Sequence, residues 1–207
     1  MIDQRLLAVA RAAKGFMPDD EGVALHDAAL AAARAVGGPL LEVGTYCGKS
    51  AVYLGAAARA AGTVLFTVDH HRGSEENQAG WEHHDDDVVD ARTGRMNTLP
   101  FFQRTIEDAG LEDVVVGVVG YSVPVARAWA TPLGFLFIDG GHALDVAMAD
   151  YDLWTRHVKP GGTLAIHDVF EHEDEGGQAP FRVWQRAVDE GWQPIATTGS
   201  LRTLQHP

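Results

Sequence analysis

Cysteine is nearly absent: Cys47 is the one cysteine in 207 residues, which excludes an internal disulfide. No basic stretch followed by an apolar core opens the chain, so nothing points to secretion and a cytoplasmic protein is expected. Long apolar runs are missing too. None approaches the roughly 20 residues needed to cross a bilayer, because Gly, Pro or charge breaks each of them, and the chain reads as soluble with no membrane partner. Positive charge is scarce: 16 Lys and Arg against 29 Asp and Glu give a formal charge of −13, with no basic stripe. Such a surface repels a phosphate backbone, so nucleic acid is not expected as a partner. Internal repeats and low-complexity linkers are also lacking. What remains is a chain whose length fits one domain, residues 1–207, with a core large enough to need no staple.

Helical segments alternate with short β-branched runs, the pattern of a parallel sheet with crossover helices on both faces. Helices are predicted over 23–36, 50–61, 96–109, 122–130, 143–157 and 181–190, and strands over 40–43, 63–68, 114–119, 135–138 and 163–166. Lys159-Pro160-Gly161-Gly162 reads as a turn, and the end of the chain as one or two closing strands. Residues 1–22 read as an N-terminal helical extension that could cover a site or pack against a second copy. Residues 70–95 are too long and polar for an ordinary connection and suggest a lid. This stretch holds His70, His71, Trp81, His83 and His84, followed by Asp85, Asp86, Asp87 and Asp90. Adjacent His pairs without Cys are a poor zinc site, while Trp81 could stack on a sugar. The acidic run from Glu171 to Glu175 is expected in a solvated loop.

In an open parallel sheet, ligands sit beyond the carboxyl ends of the strands. After the first strand comes Gly44-Thr45-Tyr46-Cys47-Gly48-Lys49-Ser50, where glycines permit close approach and the next helix offers free N–H groups. Asp69 follows the second strand, where a carboxylate can accept from ribose hydroxyls. Three residues separate Gly44 from Gly48, whereas a phosphate-binding loop ending in Gly-Lys-Ser needs four. The G-x-G-x-x-G dinucleotide fingerprint is absent as well.

The segment 40–48, LLEVGTYCG, closely resembles the glycine motif of class I S-adenosylmethionine (SAM)-dependent methyltransferases. Phe137-Ile138-Asp139-Gly140-Gly141-His142 and Ile166-His167-Asp168-Val169 resemble two later motifs of the metal-dependent sugar O-methyltransferases, the macrocin methyltransferase-like group. The likeness spans roughly residues 36–170. It implies a doubly wound, mostly parallel seven-stranded α/β sheet of the Rossmann-like methyltransferase type. It also implies that Glu42, Gly44 and Gly48 line the methionine and ribose of SAM, that Asp69 meets the ribose, and that Tyr121 and Ser122 meet the adenine. Thr45, Ser50 and Asp139 complete that set.

Asp139 and Asp168 end neighbouring strands, so two hard oxygen ligands would stand side by side, as Mg²⁺ requires. His142, three residues past Asp139, is the candidate general base, in keeping with the family. The residue before the second metal-binding Asp is usually acidic in that family, and here it is His167. As a third ligand, His167 would suit Mn²⁺ or Zn²⁺ better than Mg²⁺. The resulting expectation is metal-assisted O-methylation of a saccharide or glycosylated small molecule, by a protein that could be a homodimer. A catechol-type methyltransferase, a nucleotide-dependent phosphotransferase and a non-catalytic SAM-binding module stand as alternatives.

Overall fold

A computed structural model describes residues 2–74 and 85–207; Trp81, His83 and His84 lie outside the described residues. The seven-stranded sheet has the order β5-β2-β1-β6-β7-β9-β8. Its strands are β1 (Leu40–Val43), β2 (Leu65–Asp69), β5 (Val115–Val119), β6 (Leu133–Ile138), β7 (Val158–Ile166), β8 (Gln193–Thr198) and β9 (Leu201–Gln205). Within this sheet, among the described residues, only the β7–β9 and β8–β9 pairings are antiparallel, which matches the expected doubly wound architecture. From β1 the chain first builds outward through β2 and β5, then returns to β1's other side as β6. That reversal opens a crevice at the carboxyl ends of β1 and β6.

Period-2 alternation divides the core. Leu40, Leu65, Phe135 and Phe137 are buried against α1 (Gln4–Ala12), α2 (Asp19–Val36), α3 (Lys49–Ala61) and α4 (Leu99–Ala109). Leu41, Val43, Leu136 and Ile166 face the opposite layer, α5 (Ser122–Ala128), α6 (Leu144–Trp154) and α7 (Ala179–Asp189). By the same alternation Glu42 points toward the α3 layer, at a position that is fully buried. Among the described residues no helix is long and apolar enough to cross a membrane.

Several boundaries differ from the sequence expectation. The second helix begins at Asp19, inside what reads as an extension, because Asp19, Asp20 and Glu21 fill its first turn, where acids favour the helix dipole. The helix read from residue 96 starts at Leu99, and Met96 instead pairs with Val89 in a small ribbon of β3 (Val89–Asp90) and β4 (Arg95–Met96). The 70–95 segment is thus partly structured at its end. Lys159-Pro160-Gly161-Gly162 is an irregularity within β7 rather than a turn: pairing jumps from Leu133↔Val158 to Phe135↔Thr163. Pro160 has no N–H for the ladder, and Gly161 takes φ 75, so the extra residues bulge while the strand continues. Lys159 Nζ donates to the Val36 and Gly37 carbonyls (3.2 and 3.1 Å), closing the carboxyl end of α2.

Candidate active site

Parallel register brings the chemistry to one edge. Val43 pairs with both Val68 and Ile138, and Ile138 pairs with Ile166, so Gly44, Asp69, Asp139 and His167 leave the sheet at one level. Gly44 has φ 87, and a Cβ there would lie 2.1 Å from the Asp139 carbonyl oxygen. The glycine turn and the Asp139 turn are therefore packed backbone to backbone, which only glycine permits.

Asp69 shapes that turn. Its Oδ2 accepts the N–H groups of Thr45 (2.9 Å) and Tyr46 (2.8 Å), and its Oδ1 accepts the N–H of His71 (2.6 Å). Tyr46 is held at φ 50, a conformation a bulky residue adopts only when its surroundings fix it. Sequence reasoning gave Asp69 a ribose and left this backbone role unseen. Gly48 caps α3 in the left-handed region without a side-chain hydrogen bond, so the first N–H groups of α3 face the crevice edge unpaired within the helix.

Glu42 lies beneath the turn, fully buried, and among the described residues neither carboxyl oxygen meets a partner with hydrogen-bonding geometry. Burial pushes its pKa up to about 8; the nearby Ser50 and Thr45 hydroxyls pull it down, and the charges of Asp139 and Asp69 push it further up. Thr45 and Ser50 are buried beside it. Of the pair expected at an adenine, Tyr121 is exposed with its ring 4.6 Å from that of His70. Ser122 is turned inward, accepting from Trp154 Nε1 at 2.7 Å.

Asp139, His167 and Asp168 converge, each offering a ligand atom, all within 4.8 Å of one another. His167 Nδ1 is 3.0 Å from Asp139 Oδ1 and 3.4 Å from Asp168 Oδ1. Its Nε2 is 2.7 Å from Oε2 of Glu21, a residue 146 positions away. Burial would lower the His167 pKa, but the Asp139 charge and hydrogen bonds to Asp139, Asp168 and Glu21 raise it to about 12. Burial would raise Glu21, yet bonds from His167 and Ser200 hold it below the usual carboxylate range. Burial raises Asp139, against the pull of His167. Asp168 has φ 54, which aims its carboxylate back at the cluster. His142 joins from the β6–α6 turn, its Nε2 3.4 Å from Asp168 Oδ2.

The structure thus gathers Asp139, His142, His167 and Asp168, with the Glu42 turn directly beside them. It adds two residues that sequence reasoning missed. Glu21 reads as an ordinary first-turn acid of α2, and no local signal ties it to His167. Asp150, on α6, is buried under Gly140 and pushed up to about 6 by burial, with the Ser122 hydroxyl pulling the other way. Of the lid histidines, His71 is buried and bonded through Nδ1 to the Thr98 hydroxyl (2.8 Å), which anchors the start of the segment. Lys14 bridges Asp85 and Asp87 at its far end (2.7 and 2.8 Å), so that acidic cluster is paired in part. The 171–175 run is exposed, as expected.

A family model described as a methyltransferase domain matches residues 41–169, which include every one of these strand-end motifs. The chain belongs to the methyltransferase family. Solved structures similar to this methyltransferase include cofactor-bound Rv0187 from MTB, at 20% identity over 97% of this chain and 87% of that one, TM-score 0.67. TomG from Streptomyces achromogenes, involved in tomaymycin synthesis and solved with SAM, is 19% identical over 100% and 92% of the two chains, TM-score 0.65. An O-methyltransferase from Bacillus cereus, solved with SAH, is 18% identical over 98% and 91%, TM-score 0.66. At these identities the likeness is one of fold, and the methyltransferase shares that fold along nearly its whole length.

Proposed function

We propose that this methyltransferase uses SAM to methylate a hydroxyl of a saccharide or glycosylated small molecule in the cytoplasm, with a divalent cation, Mg²⁺ or Mn²⁺, held by Asp139, Asp168 and His167. The observation that carries the reading is the convergence of three ligand atoms within 4.8 Å, with His142 beside them and the glycine turn adjoining. The oxygen acceptor draws support from the O-methyltransferases among its fold neighbours, and the saccharide from the later motifs.

The residues present fit SAM. Bound there, it would supply a methyl group made electrophilic by its sulfonium. The orphaned Glu42 carboxyl offers acceptors to an ammonium, the α3 N-terminus offers donors, and Asp69 keeps lone pairs for ribose hydroxyls. Tyr121 beside His70 forms an aromatic surface for adenine. The donor set at the end of β6 and β7 also fits a divalent ion, which would orient the acceptor oxygen and lower its hydroxyl pKa. With SAM and an acceptor bound, His142 would take the acceptor's hydroxyl proton on a ring nitrogen, and the nearby Asp168 carboxylate would favour the resulting imidazolium. The assembly is read as a homodimer, drawing on the N-terminal segment of residues 1–22; a monomer in sedimentation overturns that part.

Incubation with labelled SAM, a divalent ion and a panel of glycosides and catechols tests the reaction. Labelled glycosides are expected. Labelling of catechols alone overturns the saccharide in favour of a catechol-type enzyme. No acceptor labelled, together with a His142→Ala variant that keeps the chain's cellular effect, marks a binding module.

A further inference from the structure

Glu21 reaches the cluster from the first turn of α2, and both of its oxygens are fixed. Oε2 meets His167 Nε2 at 2.7 Å. Oε1 accepts the backbone N–H of Ser200 at 2.8 Å, and the Ser200 hydroxyl lies 3.3 and 3.1 Å from the two oxygens. Gly199, at φ 51, leaves room for this: a Cβ there would sit 2.0 Å from Glu21 Oε1. The β8–β9 turn and the first turn of α2 therefore clamp one carboxylate against one imidazole. His167 and Glu21 are both almost wholly buried, so water does not compete for the contact.

With Nε2 committed to Glu21, Nδ1 is the ring nitrogen that faces Asp139 and Asp168. A carboxylate on the outer nitrogen and further ligand atoms around the inner one is how proteins fix a metal-binding histidine: the outer hydrogen bond sets the tautomer, orients the ring and raises its basicity. The left-handed backbone of Asp168 is a second departure that serves the same aim, turning its carboxylate toward Nδ1. Oxygen-only sites suit Mg²⁺, which dehydrates reluctantly, whereas an imidazole nitrogen shifts preference toward first-row transition ions.

We infer that Glu21 is a positioning residue that holds His167 as a nitrogen ligand, making Asp139, His167 and Asp168 a mixed nitrogen–oxygen site that takes Mn²⁺ in preference to Mg²⁺. This rests on the reading of the cluster as a metal site. It assigns the first turn of α2 and the β8–β9 hairpin a part in choosing the ion, since Glu21 sits on the one and is held by the other.

The test is titration of the full chain with Mn²⁺ and with Mg²⁺, followed by calorimetry and by the electron paramagnetic resonance of bound Mn²⁺. Mn²⁺ is expected to bind at least about 10-fold more tightly than Mg²⁺, with nitrogen coupling to the ion that disappears in His167→Asp. Glu21→Ala is expected to weaken Mn²⁺ about 10- to 100-fold while changing Mg²⁺ much less. Glu21→Gln, which keeps the shape, gives the same direction with a smaller loss if Glu21→Ala fails to fold. Equal affinity for both ions, absence of nitrogen coupling, or unchanged Mn²⁺ binding in both Glu21 variants overturns the inference and leaves the metal site standing. Absence of binding by either ion overturns the metal reading itself.

Discussion

Two buried groups carry opposite chemistry within one crevice. Glu42 is raised from the ordinary 4.5 to about 8 by burial. The folded state then binds more protons than the unfolded one between those values, so stability falls as pH rises from about 4.5 to about 8. His167 adds the same sign at higher pH: its contribution is complete below its ordinary 6.5 and is lost as pH climbs toward about 12. Glu42→Gln isolates the first effect. In urea unfolding it is expected to gain about 2–4 kcal/mol relative to the parent on going from pH 5 to pH 8; an identical pH dependence in parent and variant would show that Glu42 does not titrate in that range. His142 is tested by rate. With any acceptor that turns over, His142→Ala is expected to lose about 10²- to 10⁴-fold in kcat with SAH affinity unchanged, and a KM change alone would remove it as the base.

At the scale of elements, the glycine turn, the Asp139 turn and the Asp69 carboxylate form one unit. Gly44→Ala would place a methyl 2.1 Å from the Asp139 carbonyl oxygen and is expected to cost about 2 kcal/mol or more, measured as a lowered urea midpoint. Asp69→Ala leaves the Thr45 and Tyr46 N–H groups without their acceptor, a loss of about 1–3 kcal/mol. Loss of SAH binding in that variant therefore does not by itself prove a ribose contact. Asp69→Asn, which retains one acceptor oxygen, should keep more of the stability than of the affinity. Equal losses of both would assign Asp69 to the turn alone.

Across the whole molecule, local signals carried the fold and the near half of the site. Alternating periodicities placed the five parallel strands, and strand-end position singled out Asp69, Asp139 and Asp168, because in a parallel sheet the carboxyl ends must share one edge. Boundaries slipped where tertiary contacts outvote propensity: Lys159 closes α2 from within a bulge that reads as a turn, and Met96 pairs in a ribbon instead of opening a helix. Glu21 was illegible for a different reason. Its partner is 146 positions away, and only the fold's closure, with the β8–β9 hairpin returning beside α2, brings the two together. The inward turn of Ser122 likewise depends on Trp154, a neighbour supplied by packing.

Whether the crevice at the ends of β1, β2 and β6 binds SAM is decided by calorimetric titration of the full chain with SAH and, separately, ATP. Saturable binding of SAH at one per chain, with no heat from ATP, is the predicted result. Binding of ATP without SAH would contradict the reading of the glycine turn, and with it the roles given to Glu42, Asp69 and His142.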